Sequence, residues 1–368
     1  MSVDGTVISL GSRKQRAVLA VLLVNRNRAV GSDELISAVW ENRPPTNVRS
    51  ALHTYMSNLR RLITSSDFDA RAVLASAPPG YRLSLPDSDF DLGRFVTSSA
   101  SGFRASANGQ FDQASRSFAE ALAEWRGPAL DDLRDFTFFE AFATALAEDR
   151  LTTQIGHAEA EIACGRSRSI VNTLEALTAE HPYHEPLWAQ LVTAYYLAER
   201  QSSALDAYHR LRSALAEDLG IDPGPTVQAL YEKVLRQERL DVGKATRARA
   251  DDTIIALQDH VSAVTEHLVG PVLRGADGTT HPLMAMSTRI GRSPDNNIVL
   301  ADAKVSRHHA AIIDTGSNFV IADLRSANGV YVGGRRIRAS AVLVNGDVIR
   351  IGDNEFTFYL STPDSVSH

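Results

Sequence analysis

Three turns near the C-terminal end collect side chains suited to holding a charged ligand. The stretch STRIGRSPDNNIVLADAKVSRHHAAIID (287–314) carries Gly291-Arg292 and Ser306-Arg307-His308-His309, and DLRSANGVYVGGRRI (323–337) carries Asn328-Gly329. A guanidinium is a planar fork of donors matched to phosphate or carboxylate. Arg292 and Arg307 supply two forks and Ser306 a hydroxyl. Asn328 both donates and accepts, enough to grip a peptide backbone. Gly291 and Gly329 allow tight turns without a Cβ clash. Short apolar runs such as Ile298-Val299-Leu300, Ala310–Ile313 and Val330-Tyr331-Val332 bound these turns and read as strands. Loops at one end of a sandwich converge, so the three turns can form one dianion site on a rigid scaffold.

A second constellation lies near the N-terminus, on a helix expected from Thr46 or Asn47 to about Ile63. Val48, Leu52, Tyr55/Met56, Leu59 and Ile63 recur at steps of three and four and make one buried stripe. The opposite face reads Asn47, Ser50, Thr54, Ser57, Asn58 and Arg61, flanked by Arg49, His53 and Arg60. Asparagine suits base edges, serine and threonine suit phosphates, and arginine suits either. A solvated helix face would show the same residue types, so both readings stand on the face alone.

Both constellations need elements to position them. Residues 13–24, RKQRAVLAVLLV, form an apolar helical pattern stopped by Asn25–Arg28, and Ser32 is expected to cap a second helix that ends before Pro44-Pro45. After the third helix, Pro78-Pro79-Gly80 turns into the alternating strand Tyr81–Leu85, with Arg82 on a wing. From 87 to 240 the pattern is almost wholly helical. Trp188, Leu191 and Tyr195 fall at W-x-x-L-x-x-x-Y spacing, followed by Ala204 and Tyr208; Ile170, Leu174 and Pro182 sit one repeat earlier, and Ala114, Phe118 and Ala121 repeat the second-helix signature. This is the pattern of a tetratricopeptide-like (TPR-like) array of helix pairs. Residues 241–268 open on the polar DVGKATRARADD and read as a linker, and 269–361 read as an all-β sandwich.

Composition fits a soluble multidomain protein of 368 residues, with 44% hydrophobic and 22% charged residues. The one cysteine, Cys164, excludes an internal disulfide and fits a reducing compartment. It lies in a helical stretch, where a buried filler is the expected role. The longest apolar run, Ala17–Val24, is too short to span a bilayer, and a cytoplasmic location is expected. The net charge of −6 is uneven: residues 1–86 carry 11 Lys/Arg against 6 Asp/Glu, and residues 87–250 carry 17 against 25. An anionic partner would dock on the first block.

The order Gly-Arg, Ser-x-x-His, Asn-Gly between short strands, closed by Gly346-Asp347 and Phe356-x-Phe358, resembles a forkhead-associated (FHA) domain. That resemblance implies an eleven-stranded sandwich binding phosphothreonine peptides. Arg292 and Ser306 would hold the phosphate, Arg307 would assist, and Asn328 would fix the peptide main chain. Gly291, His309 and Gly329 would brace the loops. Ala327 departs from the hydroxyl residue that many FHA domains carry before the Asn. Asn58-Leu59-Arg60-Arg61-Leu62 followed by Gly80–Leu83 is similar to the winged helix-turn-helix of OmpR-type regulators. The middle segment, with Trp188–Tyr195 and Gly220-Ile221-Asp222-Pro223-Gly224-Pro225, looks like the bacterial transcriptional activation domain. Together they resemble the Streptomyces antibiotic regulatory protein (SARP) family. Its members open with a small antiparallel sheet, and here Ser2–Leu10, with an Asp4-Gly5 turn, stands in that place.

The expected fold is multidomain: a mainly α winged helix over 1–86, a TPR-like helical domain over 87–240, a linker over 241–268, and an all-β FHA sandwich over 269–361. The expected function is a DNA-binding transcriptional regulator, of the activator kind, controlled through phosphothreonine recognition downstream of a Ser/Thr protein kinase. Promoter DNA would meet Thr54, Ser57, Asn58 and Arg61, with Arg49, Arg60 and Arg82 on phosphates. RNA polymerase is a further expected partner; a membrane is not. No P-loop, H-E-x-x-H or G-x-S-x-G signature occurs, so no enzyme, catalytic residue, cofactor or metal is expected. The alternative is a phosphopeptide-binding signalling scaffold without sequence-specific DNA binding.

Overall fold

The computed structural model describes residues 2–3, 6–7, 9–41, 44–63, 69–265, 271–283, 287–315 and 318–360. They divide into two units. The first comprises residues 1–93, 127–148 and 260–368, and the second comprises 94–126 and 149–259.

The first unit opens with a hairpin of β1 (Ser2–Val3) and β2 (Thr6–Val7); the expected Asp4-Gly5 turn lies outside the described residues. Helix α1 (Arg13–Val24) starts where Ser12 Oγ accepts from Gln15 N at 3.3 Å. It ends at Asn25, whose Nδ2 donates to Val21 O at 2.8 Å. Next come β3 (Ala29–Gly31), α2 (Ser32–Trp40) and α3 (Val48–Ile63). Helix α4 (Ala70–Val73), β4 (Leu74–Ala77) and β5 (Gly80–Leu83) complete the domain. The sheet order is β3-β5-β4, all antiparallel, with Ala29 opposite Arg82. Strand β3 carries no periodic signal of its own and exists because β5 pairs with it. Ser32 is not the cap of α2: Gly31 holds that position, and Ser32 Oγ donates to Pro79 O at 3.0 Å, tying the helix start to the wing turn.

On α3 the expected stripe is buried at Leu52, Met56 and Leu59, while Val48, Tyr55 and Ile63 pack at its edges. The same core takes in Leu133 and Phe139, with Phe136 and Phe138 against it. These aromatic residues explain why 127–148 belongs with the winged helix, whereas the sequence reads as one helical domain from 87 to 240.

The second unit is a helix array: α5 (Asp91–Ala107), α6 (Phe111–Ala123), α7 (Thr137–Ala163), α8 (Ser167–Glu180), α9 (Glu185–Leu197), α10 (Gln201–Leu219) and α11 (Pro225–Leu235). Helices α5 and α7 each begin in the first unit. The repeat residues Ile170, Leu174, Trp188, Leu191, Tyr195, Ala204 and Tyr208 form one core, and Trp188 Nε1 donates to Pro182 O at 3.0 Å. Ala114, Phe118 and Ala121 are wholly buried. Phe118 requires Gly102 beneath it, where a Cβ would lie 2.6 Å from the ring.

The stretch expected as a linker is helical over Val242–Thr265 (α12). Asp241 Oδ1 caps it by accepting from Lys244 N at 3.0 Å. Thr246 and Ala250, four residues apart, are buried, and this one-turn spacing was hidden in a polar composition. Residues 266–270 and 361, at the expected edges of the sandwich, lie outside the described residues.

Among the described residues the sandwich contains eleven strands: β6 (Val272–Gly275), β7 (Thr280–Pro282), β8 (Ser287–Gly291), β9 (Ile298–Val299), β10 (Ala310–Asp314), β11 (Phe319–Asp323), β12 (Val330–Val332), β13 (Arg335–Arg336), β14 (Ser340–Leu343), β15 (Val348–Ile351) and β16 (Asn354–Tyr359). They form a five-stranded sheet, β14-β11-β10-β8-β9, and a six-stranded sheet, β13-β12-β15-β16-β6-β7. Every residue of β10 is buried, and Ile290, Ile312, Ile321, Ile349 and Phe358 fill the space between the sheets.

Candidate functional site: a phosphate-reading loop cluster and a DNA-reading helix

The loops after β8, before β10 and before β12 are laced by main chain rather than by the side chains that would meet a ligand. Arg292 N donates to Ser306 O at 2.9 Å and Ser293 N to Arg307 O at 3.1 Å. Gly291 makes this approach possible, because a Cβ there would lie 2.3 Å from Arg307 O. Asn296, which sequence reasoning missed, is buried and locks the same pair of loops: its Nδ2 reaches Ser293 O and Arg307 O, each at 2.7 Å. An asparagine in a polar loop gives no sequence signal for such a bridge.

His309 is fully buried and joins the second loop to the third. Its Nδ1 faces Ser306 N at 3.0 Å, and Nε2 faces Gly329 O at 3.1 Å. A backbone N–H can only donate, so Nδ1 must accept and the ring proton sits on Nε2, which donates to the carbonyl. The ring therefore bridges the two loops with both nitrogens engaged. Gly329 has φ of +76°, and a Cβ there would lie 2.3 Å from Arg336 Nε. Ser326 Oγ caps the turn by accepting from Gly329 N at 2.9 Å.

This frame leaves Arg292, Arg307 and Asn328 exposed and Ser306 half-buried. Arg292 makes a long contact from Nε to Val305 O at 3.3 Å. Ser306 Oγ accepts from Ala327 N at 3.2 Å, so a backbone N–H meets the serine at the residue where the hydroxyl is missing. Asn328 Nδ2 donates to Lys304 O at 2.7 Å, and its amide oxygen can still accept. Lys304 pairs with Asp353 at 2.6 Å. The arrangement concentrates donors and positive charge and can accept a phosphate dianion.

The back of this cluster rests on other parts of the first unit. Arg289, on β8, donates to Ser37 Oγ of α2 at 3.1 Å and to Asp295 O at 3.1 Å. His308, beside Arg307, meets Asp295 at 3.6 Å and Asn296 at 3.3 Å. A cavity of about 70 Å3 lies among Ser37, Glu41, Phe138, Arg289, Asp295 and His308. Arg325 pairs with Glu140, and Ser340 Oγ donates to Glu148 at 2.7 Å. Burial pushes the Glu34 carboxyl above its ordinary range, opposed in part by Arg289.

The outward face of α3 is exposed at Arg49, Ser50, His53, Thr54, Ser57 and Arg61, with Asn58 half-buried, and Asn47, just before the helix, is exposed too. Several of these side chains already have protein partners. Arg49 pairs with Asp33 at 2.8 Å, and His53 Nδ1 meets the Tyr81 hydroxyl at 2.7 Å. Asn58 Nδ2 donates to Gln15 Oε1 at 3.2 Å, and Arg61 to Asn58 Oδ1 at 3.5 Å. Thr54 and Ser57 donate back to Ser50 O and His53 O, each at 3.0 Å, leaving their oxygens open to accept. Arg60 donates to Leu74 O at 2.9 Å and Ser76 Oγ at 3.1 Å, joining α3 to the wing. Arg82 is exposed on β5. Gln15 and Tyr81 were missed because α1 and β5 look like plain scaffold in the sequence.

Cys164 is half-buried, and burial pushes its thiol pKa up, away from nucleophilic chemistry. Among the described residues no group of three His, Cys, Asp or Glu could hold a metal ion, and no helix is long and apolar enough to cross a membrane.

A winged helix, a helix array and a phosphate-reading sandwich in one chain define a multidomain transcriptional regulator. Residues 5–83 match the family described as "Transcriptional regulatory protein, C terminal", residues 90–235 the bacterial transcriptional activator domain, and residues 288–352 the FHA domain. The transcriptional regulatory protein EmbR of Mycobacterium tuberculosis is 56% identical over 361 residues, covering 98% of this chain and 93% of that protein. MoaR1 of the same species is 51% identical over 68% of this chain and 82% of its own. Regulatory protein DnrI of Streptomyces peucetius is 33% identical over 64% of this chain and 88% of its own. A solved structure of M. tuberculosis EmbR, in complex with a low-affinity phosphopeptide, superposes with a TM-score of 0.95 at 55% identity, covering 100% of this chain and 96% of that one. The chain belongs to the EmbR family of transcriptional regulators, within the SARP group.

Proposed function

We propose that the chain activates transcription from promoter DNA in the cytoplasm and is controlled by a phosphothreonine presented by a Ser/Thr protein kinase or a second copy of the regulator. The observation that carries the phosphothreonine reading is the backbone lacing around His309, which holds three loops at one end of the sandwich and leaves their polar side chains outward. Arg292, Ser306 and Arg307 take the phosphate, and Asn328 accepts from the peptide main chain. Gly291, His309 and Gly329 fix the geometry. Nothing in this scheme asks for catalysis, and the chain is read as a binding protein rather than an enzyme.

On the DNA side α3 enters the major groove with Thr54, Ser57, Asn58 and Arg61 toward the bases. Asn47, Ser50 and His53 border that face, and Arg49 and Arg82 neutralise phosphates. The bonds of Arg60 to the wing make it the joint that aims Arg82, in place of a simple phosphate contact. The helix array recruits RNA polymerase, and domain limits of 1–86, 87–240 and 269–361 remain the working description, with 127–148 serving the first. Calorimetry of the full chain with a phosphothreonine peptide and its unphosphorylated twin tests the reading. Binding only of the phosphorylated peptide is expected, and equal binding of both would sink it. Loss of a gel shift on genomic fragments would favour the scaffold alternative.

A further inference from the structure

The second unit contains a groove of about 290 Å3 that neither ligand of the proposed function uses. Its banks are α11 and α12. Thr226, Leu230 and Lys233 line it from α11, and Val242, Thr246 and Arg249 line it from α12 with the same spacing. That spacing puts each trio on one face of its helix.

The floor is polar and satisfied. Glu159 of α7 is buried, bonds to Arg249, and accepts from Gln190 Nε2 of α9 at 2.9 Å. The mouth is different. Lys233 and Arg239 are exposed there, and among the described residues neither has a carboxylate at ion-pairing distance. Of the two acids in the lining, Glu159 is bonded to Arg249 and Asp241 is engaged in capping α12. Ligand sites combine apolar walls with a few convergent polar groups, in volumes upward of about 300 Å3. A groove of this size holds one small molecule and is too small for a helix, which is about 10–12 Å across with its side chains.

We infer that this groove binds a small amphipathic organic anion, its charged group held by Lys233 and Arg239 and its apolar body laid against Leu230, Leu240 and Val242. The site is separate from the phosphothreonine loops, and its chemistry differs: one anionic head on an apolar body, in place of a phosphopeptide. Such a ligand would join α11 to α12 across the groove.

The test uses the full chain and a matched pair of fluorescent probes, anilinonaphthalene sulfonate and its uncharged parent phenylnaphthylamine. Saturable binding with one equivalent of the sulfonate is expected, at least about tenfold tighter than the parent. Lys233→Gln with Arg239→Gln should erase that preference, and Ala245→Leu should fill the groove and remove binding of both probes. All three positions are exposed, so unfolding temperatures should stay put. Arg292→Ala should leave sulfonate binding unchanged. Equal affinity for the two probes, wild-type preference in the glutamine pair, or loss of binding in Arg292→Ala would each overturn the inference. Displacement of the sulfonate by an acidic peptide but not by decanoate would assign the groove to a protein partner and overturn it too.

Discussion

The two candidate anion-binding surfaces of the first unit are built in opposite ways. In the sandwich, main-chain bonds and one buried imidazole fix the loops, so Arg292 and Arg307 are held by their backbones and keep their heads exposed. On α3, side chains themselves are tied down: His53 to Tyr81, Asn58 to Gln15, Arg49 to Asp33. The first surface is ready for a dianion and has little to rearrange. On the proposed reading the second would have to exchange protein partners for DNA partners, which would lower affinity per contact and let the neighbouring scaffold influence it. Preorganisation lies in the backbone at the first site, whereas at the second the side chains are committed to protein partners.

The largest effect should come from Arg292→Ala, which removes a charge-assisted fork from the phosphate and should cost about 2–5 kcal/mol of phosphopeptide binding by calorimetry. DNA affinity without peptide should be unchanged. Gly291→Ala comes next. Its Cβ would press on Arg307 O, so the loops must part, and we expect about 1–3 kcal/mol lost from the stability of the sandwich by chemical denaturation. Little or no loss would mean the lacing is softer than the comparison requires.

A third variant tests whether the surfaces communicate. Arg289 joins β8 to Ser37 of α2 just behind the phosphate loops. Coupling between two sites typically runs to about 1–3 kcal/mol. Arg289→Ala should bring the ratio of DNA affinities with and without saturating phosphopeptide close to unity while leaving each ligand bound. A ratio equal to that of the unmodified chain would remove this contact from the route. Smaller again, Arg82→Ala should flatten the salt dependence of DNA binding by about one unit of logarithmic slope. Arg60→Ala should weaken DNA binding with the slope nearly intact, because its guanidinium holds the wing. A salt series on one promoter fragment separates the two.

The smallest expected effect lies in the helix array. Hydrogen bonds from Arg210 hold the Glu175 carboxyl below its usual 4.5. A carboxyl with a lowered folded pKa stabilises the fold above its unfolded value, and that contribution fades as pH falls through the folded one. Thermal melts should therefore show Glu175→Gln less stable than the parent at neutral pH, by no more than about 1 kcal/mol for so exposed a pair, with the gap closing in acid.

Much of this was legible in the sequence because local spacing carried it. The stripe Leu52, Met56 and Leu59 follows helical period, and Gly291 and Gly329 mark tight turns, whereas the role of His309 was implied only by the resemblance to the FHA family. Features decided by a distant partner were not legible. Strand β3 depends on pairing with β5, which follows it by almost the whole winged helix. Asn296 looks like any loop amide until Ser293 O and Arg307 O are brought to it. Helix α12 hides two buried positions among charges, and Phe139 reads as part of the helical segment although its core lies with α1 and α3.

That last allegiance bears on how such regulators can be cut and recombined. A fragment ending at residue 86 would leave Leu133, Phe136 and Phe139 behind and expose the apolar surface they cover on α1 to α3. The module that can be moved between proteins is therefore discontinuous: the winged helix travels with a strap from the middle of the chain. A swap of DNA-binding ends between relatives should succeed when that strap is carried along, and should give a sticky, poorly folded product when it is not.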